Sequence, residues 1–288
     1  MKILVIGGTG TVCSEVVRSL LSRRNTEVLV LTRSGDKAKD LPAGAEGVVG
    51  DLLDPATVRS VFRGVDGVFL LVGVTTTETH AGLMAANGMR MAGVKRVVYM
   101  SVHRLEEALH LPHFGSKLPI EAVLKSSAIP CTILRPNNFF QNDYQLKDAL
   151  LTHGIYPQPL GEVGLSRVDV RDIAEAAAIA LTEPGHEGQT YNLVGPDVLT
   201  GRGTAEIWSR ALGRPIAYGG DDLDAWEKQV LAFLPPWMAF DFRLMYTFFQ
   251  ARGLQAAPSD LERLEKLLGR PPRKFEDFAV ETAGKWRR

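Results

Sequence analysis

The chain is short of the features that would take it outside an ordinary water-soluble fold. It has two cysteines in 288 residues. Cys13 lies in a glycine-led turn and Cys131 in a predicted strand, so no disulfide framework is expected and a reducing compartment is. Neither sign of charge is in excess: 33 Lys and Arg stand against 33 Asp and Glu. That balance gives no bulk electrostatic case for nucleic acid or a membrane surface as partner. No apolar run reaches membrane-spanning length, because the best stretch, 230–249, is broken by Pro235-Pro236 and carries Asp241 and Arg243. The chain starts without the basic region, apolar stretch and small-residue cleavage site of a secretory signal, so a cytoplasmic protein is expected. Repeats and low-complexity runs are missing too. His80, His103, His110, His153 and His186 lack ligand spacing, and no metal is expected.

What is present begins at residue 1. Lys2-Ile3-Leu4-Val5-Ile6 reads as a buried strand. It is followed by the turn Gly7-Gly8-Thr9-Gly10-Thr11-Val12-Cys13 and by Val16, Val17, Leu20 and Leu21 at helical spacing; Glu27-Val28-Leu29-Val30-Leu31 closes a βαβ unit. In that setting the glycines predict a dinucleotide site. Gly7 permits a sharp turn off the strand, and Gly10 lets a pyrophosphate approach the backbone at the amide-bearing start of a helix. Cys13 replaces the third glycine of the pattern and reads as a small buried thiol.

The acidic residue that accepts from a ribose 2′-hydroxyl in NAD-type units is also missing. The second strand ends instead in Thr32-Arg33-Ser34, with Lys37 beyond. A guanidinium and an ammonium suit a 2′-phosphate, so NADP(H) is the expected cofactor. The bland reading makes both ordinary surface charges.

Strands are predicted around 47–50, 68–72, 97–100 and 131–134, alternating with helices that start at Pro55 and span about 80–91 and 116–127. This rhythm predicts an α/β, Rossmann-type, doubly wound parallel sheet with ligands beyond the strand carboxyl ends. Beyond Asn137 the pattern changes. Helix is expected over 138–151, a loop over 154–164, a short strand at Val168-Asp169-Val170 entering an alanine-rich helix, and a strand over 189–194. The expected organisation is a dinucleotide-binding domain over 1–155, to which 168–194 returns, and a smaller, mainly helical C-terminal lobe over 156–288. The aromatics of that lobe read as core more than as a substrate cage, and residues 285–288 as a fraying basic tail.

With these segments in place the sequence resembles the NmrA-like group of atypical short-chain dehydrogenase/reductases, which includes quinone reductases, dye reductases and redox-sensing regulators. The residues that carry the resemblance are Val5-Ile6-Gly7-Gly8-Thr9-Gly10, Leu31-Thr32-Arg33, Gly50-Asp51-Leu52, Tyr99-Met100-Ser101, His113-Phe114-Gly115-Ser116-Lys117, Leu134-Arg135-Pro136-Asn137-Asn138-Phe139 and Val168-Asp169-Val170-Arg171-Asp172. Leu268-Gly269-Arg270-Pro271-Pro272 looks like the group's C-terminal ending. The resemblance implies that Gly7, Gly10, Thr11 and Val12 hold the pyrophosphate, Arg33 the 2′-phosphate, and Asp51 and Leu52 the adenine. It places Gly73, Lys117, Pro136, Asn138 and Phe139 by the nicotinamide ribose and ring.

Short-chain dehydrogenases use a tyrosine with a lysine four residues on. Here the spacing survives as His113 and Lys117 but the tyrosine is absent. Histidine can donate a proton near neutrality, so the candidate catalytic residues are His113, Lys117 and Ser101. Each has a plainer reading: His113 as a helix-start residue, Lys117 as a surface lysine and Ser101 as a strand end. Pro119 suggests that His113 lies before the helix that follows Lys117. The expected activity is NADPH-dependent hydride transfer to a small apolar, aromatic or quinone-like substrate, by a monomer or homodimer. The alternatives are a non-catalytic NADP(H) redox sensor that contacts another protein, and an isomerase or dehydratase that reuses its bound cofactor.

Overall fold

The computed structural model describes residues 1–7 and 10–287; Gly8 and Thr9 of the turn, and Arg288 of the basic tail, lie outside the described residues. The strands are β1 (Lys2–Ile6), β2 (Glu27–Thr32), β3 (Ala45–Val49), β4 (Gly67–Leu70), β5 (Arg96–Met100), β6 (Cys131–Pro136), β7 (Ile155–Tyr156), β8 (Thr190–Leu193) and β9 (Ala217–Tyr218). The helices are α1 (Thr11–Leu21), α2 (Gly35–Lys39), α3 (Pro55–Ser60), α4 (Glu78–Ala92), α5 (Pro112–Gly115), α6 (Leu118–Ser126), α7 (Val170–Thr182), α8 (Gly201–Leu212), α9 (Leu223–Val230), α10 (Pro236–Arg252), α11 (Pro258–Leu268) and α12 (Phe275–Trp286). Among the described residues no helix is long and apolar enough to cross a membrane.

Seven strands form one parallel sheet in the order β3-β2-β1-β4-β5-β6-β8. Helices cover both of its faces, which is why the strands read as nearly continuous Val, Ile and Leu; all four residues of β4 are buried. Val12, Cys13, Val16, Val17 and Leu20 of α1 pack on one face with the small side chains of α7 and with Leu264 and Leu268 of α11. Val58, Ala85, Met89, Ile120 and Leu124 cover the other face. The chain leaves β1 toward β2 on one side and reaches β4 on the other, with Ile6 paired to both Leu31 and Leu70. A crevice beyond the strand ends is expected at such a switch point.

A third core lies beside the sheet. Trp208, Phe249, Phe275 and Phe278 fill it, joined by Leu105, Leu111 and Phe114 from the segment between β5 and α6. Arg167 and Asp143, both wholly buried, pair at 2.7 Å within it.

Three local expectations give way. Val168-Asp169-Val170 is no strand: Val168 makes an isolated bridge to Phe139, and Asp169 caps α7 by accepting from the Arg171 amide at 2.9 Å. The segment 138–151 is not α-helical. Phe140–Leu146 is a 3₁₀ helix and Ala149–His153 a π-helical turn, with Asp143 drawn inward to Arg167 and to Trp208 Nε1 at 2.9 Å. The described part of the predicted tail does not fray, since α12 runs to Trp286, whose ring stacks on Trp208 at 5.1 Å.

His103 shows how tightly the end of β5 is sealed. It is 2% exposed, its Nδ1 lies 3.2 Å from Asn137 Nδ2, and its Nε2 lies 3.6 Å from Asp260. Burial pushes its pKa down from 6.5 to about 4, against the opposing pull of Asp260. The unfolded chain therefore takes up a proton that the folded one refuses. Stability held at neutral pH should fall as pH drops from 6.5 toward about 4, by up to about 3 kcal/mol from this group. Urea unfolding at several pH values should show a flatter acid limb in His103→Gln than in the wild type; parallel limbs would rule this group out.

Candidate active site

A crevice of about 500 Å³ opens at the switch point, lined by Gly7, Gly10, Arg33, Lys37, Asp51, Leu52 and Gly73 and bounded by Thr75, Thr77 and Ala81. Gly7 sits at φ 128°, and a Cβ there would lie 2.6 Å from Cys13 Sγ, so only glycine fits. Gly10 differs. Among the described residues a Cβ at Gly10 would meet only Gly7 O, at 3.7 Å, an ordinary contact. Cys13 itself is sealed, donates to Ile6 O at 3.6 Å, and burial pushes its thiol up to about 12, which makes it packing and not a nucleophile.

The helix ends are capped in different ways, and several, α4, α6, α10 and α12 among them, start without a side-chain cap bond. Asp54 caps α3 with two bonds of 3.0 Å, and Asp222 caps α9. Gly10 caps α1 with no side chain at all. Gly10, which lines the crevice, thus stands before the first turn of α1, at the amide-bearing, positive end of its dipole; Thr11 and Val12 are not among the lining residues. Thr11 and Val12 belong to that turn, but the Val12 side chain points into the sheet core, so the backbone is what it can offer. Arg33 and Lys37 are exposed and make no ion pair among the described residues; the neighbouring Asp36 is taken by Lys39 at 3.7 Å. Asp51 is held by accepting from the Leu53 amide at 2.9 Å, and Leu52 beside it is buried.

The remaining candidates do not line this crevice. Lys117 caps α6, is buried and is paired to the buried Glu78; the other Glu78 oxygen has no partner among the described residues. Glu78 follows Thr77 of the crevice wall, and Thr79 Oγ1 donates to Ser116 O at 2.8 Å, so the segment 113–117 is stitched to that wall. His113 stands in α5, a one-turn helix separate from α6, whose second residue is Pro119. Ser101 is 2% exposed, and its buried hydroxyl has no hydrogen-bond partner among the described residues. Nearby, burial pushes the Glu121 carboxylate up, and Arg135 and Lys125 hold it down on balance. Pro136 closes β6. Asn138 Oδ1 accepts from Arg167 Nε at 3.0 Å and Phe139 O accepts from Arg167 at 2.6 Å.

Two residues near the candidates were not anticipated. Asp241 of α10 accepts from the His113 backbone amide at 3.1 Å, and its other oxygen lies 2.6 Å from His113 Nδ1. Its one sequence signal was a lone carboxylate inside an aromatic stretch. Glu78 gave none beyond its place at a helix start. Of the late aromatics, Tyr246, Phe248 and Phe249 are core, whereas Phe233, Trp237 and Phe240 are exposed.

Comparison with known proteins agrees with this geometry. An NAD(P)H azoreductase of Xenophilus azovorans is 34% identical over 96% of each chain. A (4-alkanoyl-5-oxo-2,5-dihydrofuran-3-yl)methyl phosphate reductase of Streptomyces griseus is 32% identical over 98% of each. The solved triphenylmethane reductase of Citrobacter sp., complexed with NADP(H), superposes with a TM-score of 0.84 at 26% identity, covering 98% of this chain and 100% of the other. Residues 1–279 match the NmrA-like family, through the sheet, the crevice and the helices up to the first part of α12, and the chain therefore belongs to the NmrA-like family.

Proposed function

We propose that this protein is an NADPH-dependent oxidoreductase that transfers hydride to a small, flat, apolar acceptor of the aromatic-dye or quinone type. The observation that carries the proposal is that one crevice is lined by Gly7 and Gly10, at the start of α1, and by Arg33 and Lys37, which make no ion pair among the described residues. In this reading Gly7, Gly10, Thr11 and Val12 hold the pyrophosphate, Arg33 and Lys37 the 2′-phosphate, and Asp51 and Leu52 the adenosine. Gly73, Lys117, Pro136, Asn138 and Phe139 flank the nicotinamide end. Bound there, NADPH supplies the hydride from its nicotinamide C4. His113 supplies the proton to the charge that develops on the acceptor. Support comes from the relatives, which are named as reductases of azo, furanone and triphenylmethane compounds. A binding-only sensor would need no acid, and the His113–Asp241 pair favours turnover.

The test is a panel of azo dyes, triphenylmethane dyes, quinones and enones with NADPH, followed by cofactor absorbance. Turnover of at least one class well above the rate without protein is expected; none with any class would overturn the proposal. Arg33→Ala separates the cofactor assignment from the chemistry. Loss of one charge-assisted contact should weaken NADPH binding roughly 10- to 100-fold and leave NADH unchanged. Equal losses for both dinucleotides, read by fluorescence titration, would place Arg33 elsewhere than at the 2′-phosphate.

A further inference from the structure

We infer that Asp241, carried on α10 of the helical lobe, is the positioning residue that makes His113 Nε2 the proton-donating atom. The inference rests on the reductase reading and extends it to a residue 128 positions along the chain from the histidine. Asp241 is 3% exposed, and a carboxylate so buried must have its oxygens satisfied. Both oxygens are satisfied by one residue: Oδ2 accepts from the His113 backbone amide at 3.1 Å and Oδ1 meets Nδ1 at 2.6 Å. An ionised carboxylate only accepts, so Nδ1 carries its proton toward Asp241 and Nε2 is left to exchange. The ring is also held edgewise by Phe114 at 4.8 Å and by Phe242 at 5.6 Å. Its orientation is thus fixed from α5 and from the lobe together, and the Thr79 hydroxyl on Ser116 O ties α5 to the crevice wall.

The proton balance follows. The acceptor gains a hydride from the dinucleotide and a proton from Nε2 of the imidazolium. His113 is left neutral with the Nδ1 proton still shared with Asp241, and solvent restores Nε2–H. Asp241 stays ionised throughout. Asparagine cannot replace it. With one oxygen to accept from the backbone amide, its NH₂ group faces Nδ1 and selects the opposite tautomer.

The experiment compares wild type, His113→Ala, Asp241→Asn and the double variant with NADPH and an azo dye or quinone that the wild type reduces, since these acceptors gain a proton along with the hydride. It is accompanied by ¹⁵N-histidine spectra in which the His113 signal is identified by its loss in His113→Gln. Asp241→Asn is expected to lower kcat about 10- to 100-fold with the KM for the acceptor and the Kd for NADPH nearly unchanged. The double variant should be no slower than His113→Ala, because the two residues act as one unit. The wild-type spectrum of the neutral ring, recorded at alkaline pH, should show its single proton on Nδ1, a reading that needs no substitution to fold. Full kcat in Asp241→Asn, losses that multiply in the double variant, or a neutral wild-type ring with its proton on Nε2 would each overturn the role of Asp241. Full kcat in His113→Ala would instead overturn the acid assignment on which it rests.

Discussion

Asp143→Ala is expected to cost about 3–5 kcal/mol of folding stability, because it strands a buried guanidinium. Arg167 is wholly buried. Burial works against its charge, and Asp143 and Tyr156 more than offset that, holding its pKa above the ordinary arginine value. It donates to Asp143 at 2.7 Å, Phe139 O at 2.6 Å, Asn138 Oδ1 at 3.0 Å and Tyr156 Oη at 3.2 Å. Asp143 also accepts from Trp208 Nε1 at 2.9 Å, so its loss leaves two buried donors short at once. Urea unfolding should show the midpoint falling with little change in slope. The double replacement Arg167→Met with Asp143→Leu should cost less than the single one, since no unpaired charge remains. A loss of under about 1 kcal/mol in Asp143→Ala would mean that water reaches the guanidinium and that the junction is open. The same bonds fix Asn138 and Phe139, so the variant should also loosen the segment proposed to flank the nicotinamide.

His113→Ala is expected to lower kcat by about 10²–10⁴-fold, the range of a well-placed general acid, with NADPH binding within about twofold of wild type. The size of the loss should depend on the acceptor. Substrates whose reduced form is a stable anion need the proton least. A panel-wide kcat within about twofold of wild type would show that solvent supplies the proton and that the histidine serves packing against Phe114 and Phe242.

The lining of the crevice proposed to hold the cofactor was legible because its determinants are local. A strand, a turn requiring positive φ at Gly7, an uncapped helix start at Gly10 and a basic residue after the next strand all lie within the first βαβ unit, where sequence spacing is spatial spacing. Arg33 and Lys37 could be read for the same reason. The surroundings of the proposed acid were legible only in part. His113 and Lys117 were singled out by their spacing, though neither lines the crevice, and Pro119 foretold the break between α5 and α6. Their partners Asp241 and Glu78 are brought in by packing from other elements, and no periodicity links them. The same distance effect explains the misread segments. Val168 has the residues of a strand, but Asp169 is committed to capping α7. The stretch after Asn137 is helical as its spacing suggests, but in 3₁₀ form over Phe140–Leu146, with Phe139 O and Asp143 both bonded to Arg167 from a distant segment. The terminal helix persists because Trp286 finds Trp208, a contact that pairwise residue preference does not reveal.

The most direct check of the account is calorimetric titration of the purified protein with NADPH and, separately, with NADH. Saturable heat at one NADPH per chain is the predicted result, with NADH bound at least about tenfold more weakly for want of the 2′-phosphate. No heat with NADPH, or equal affinity for the two, would contradict it.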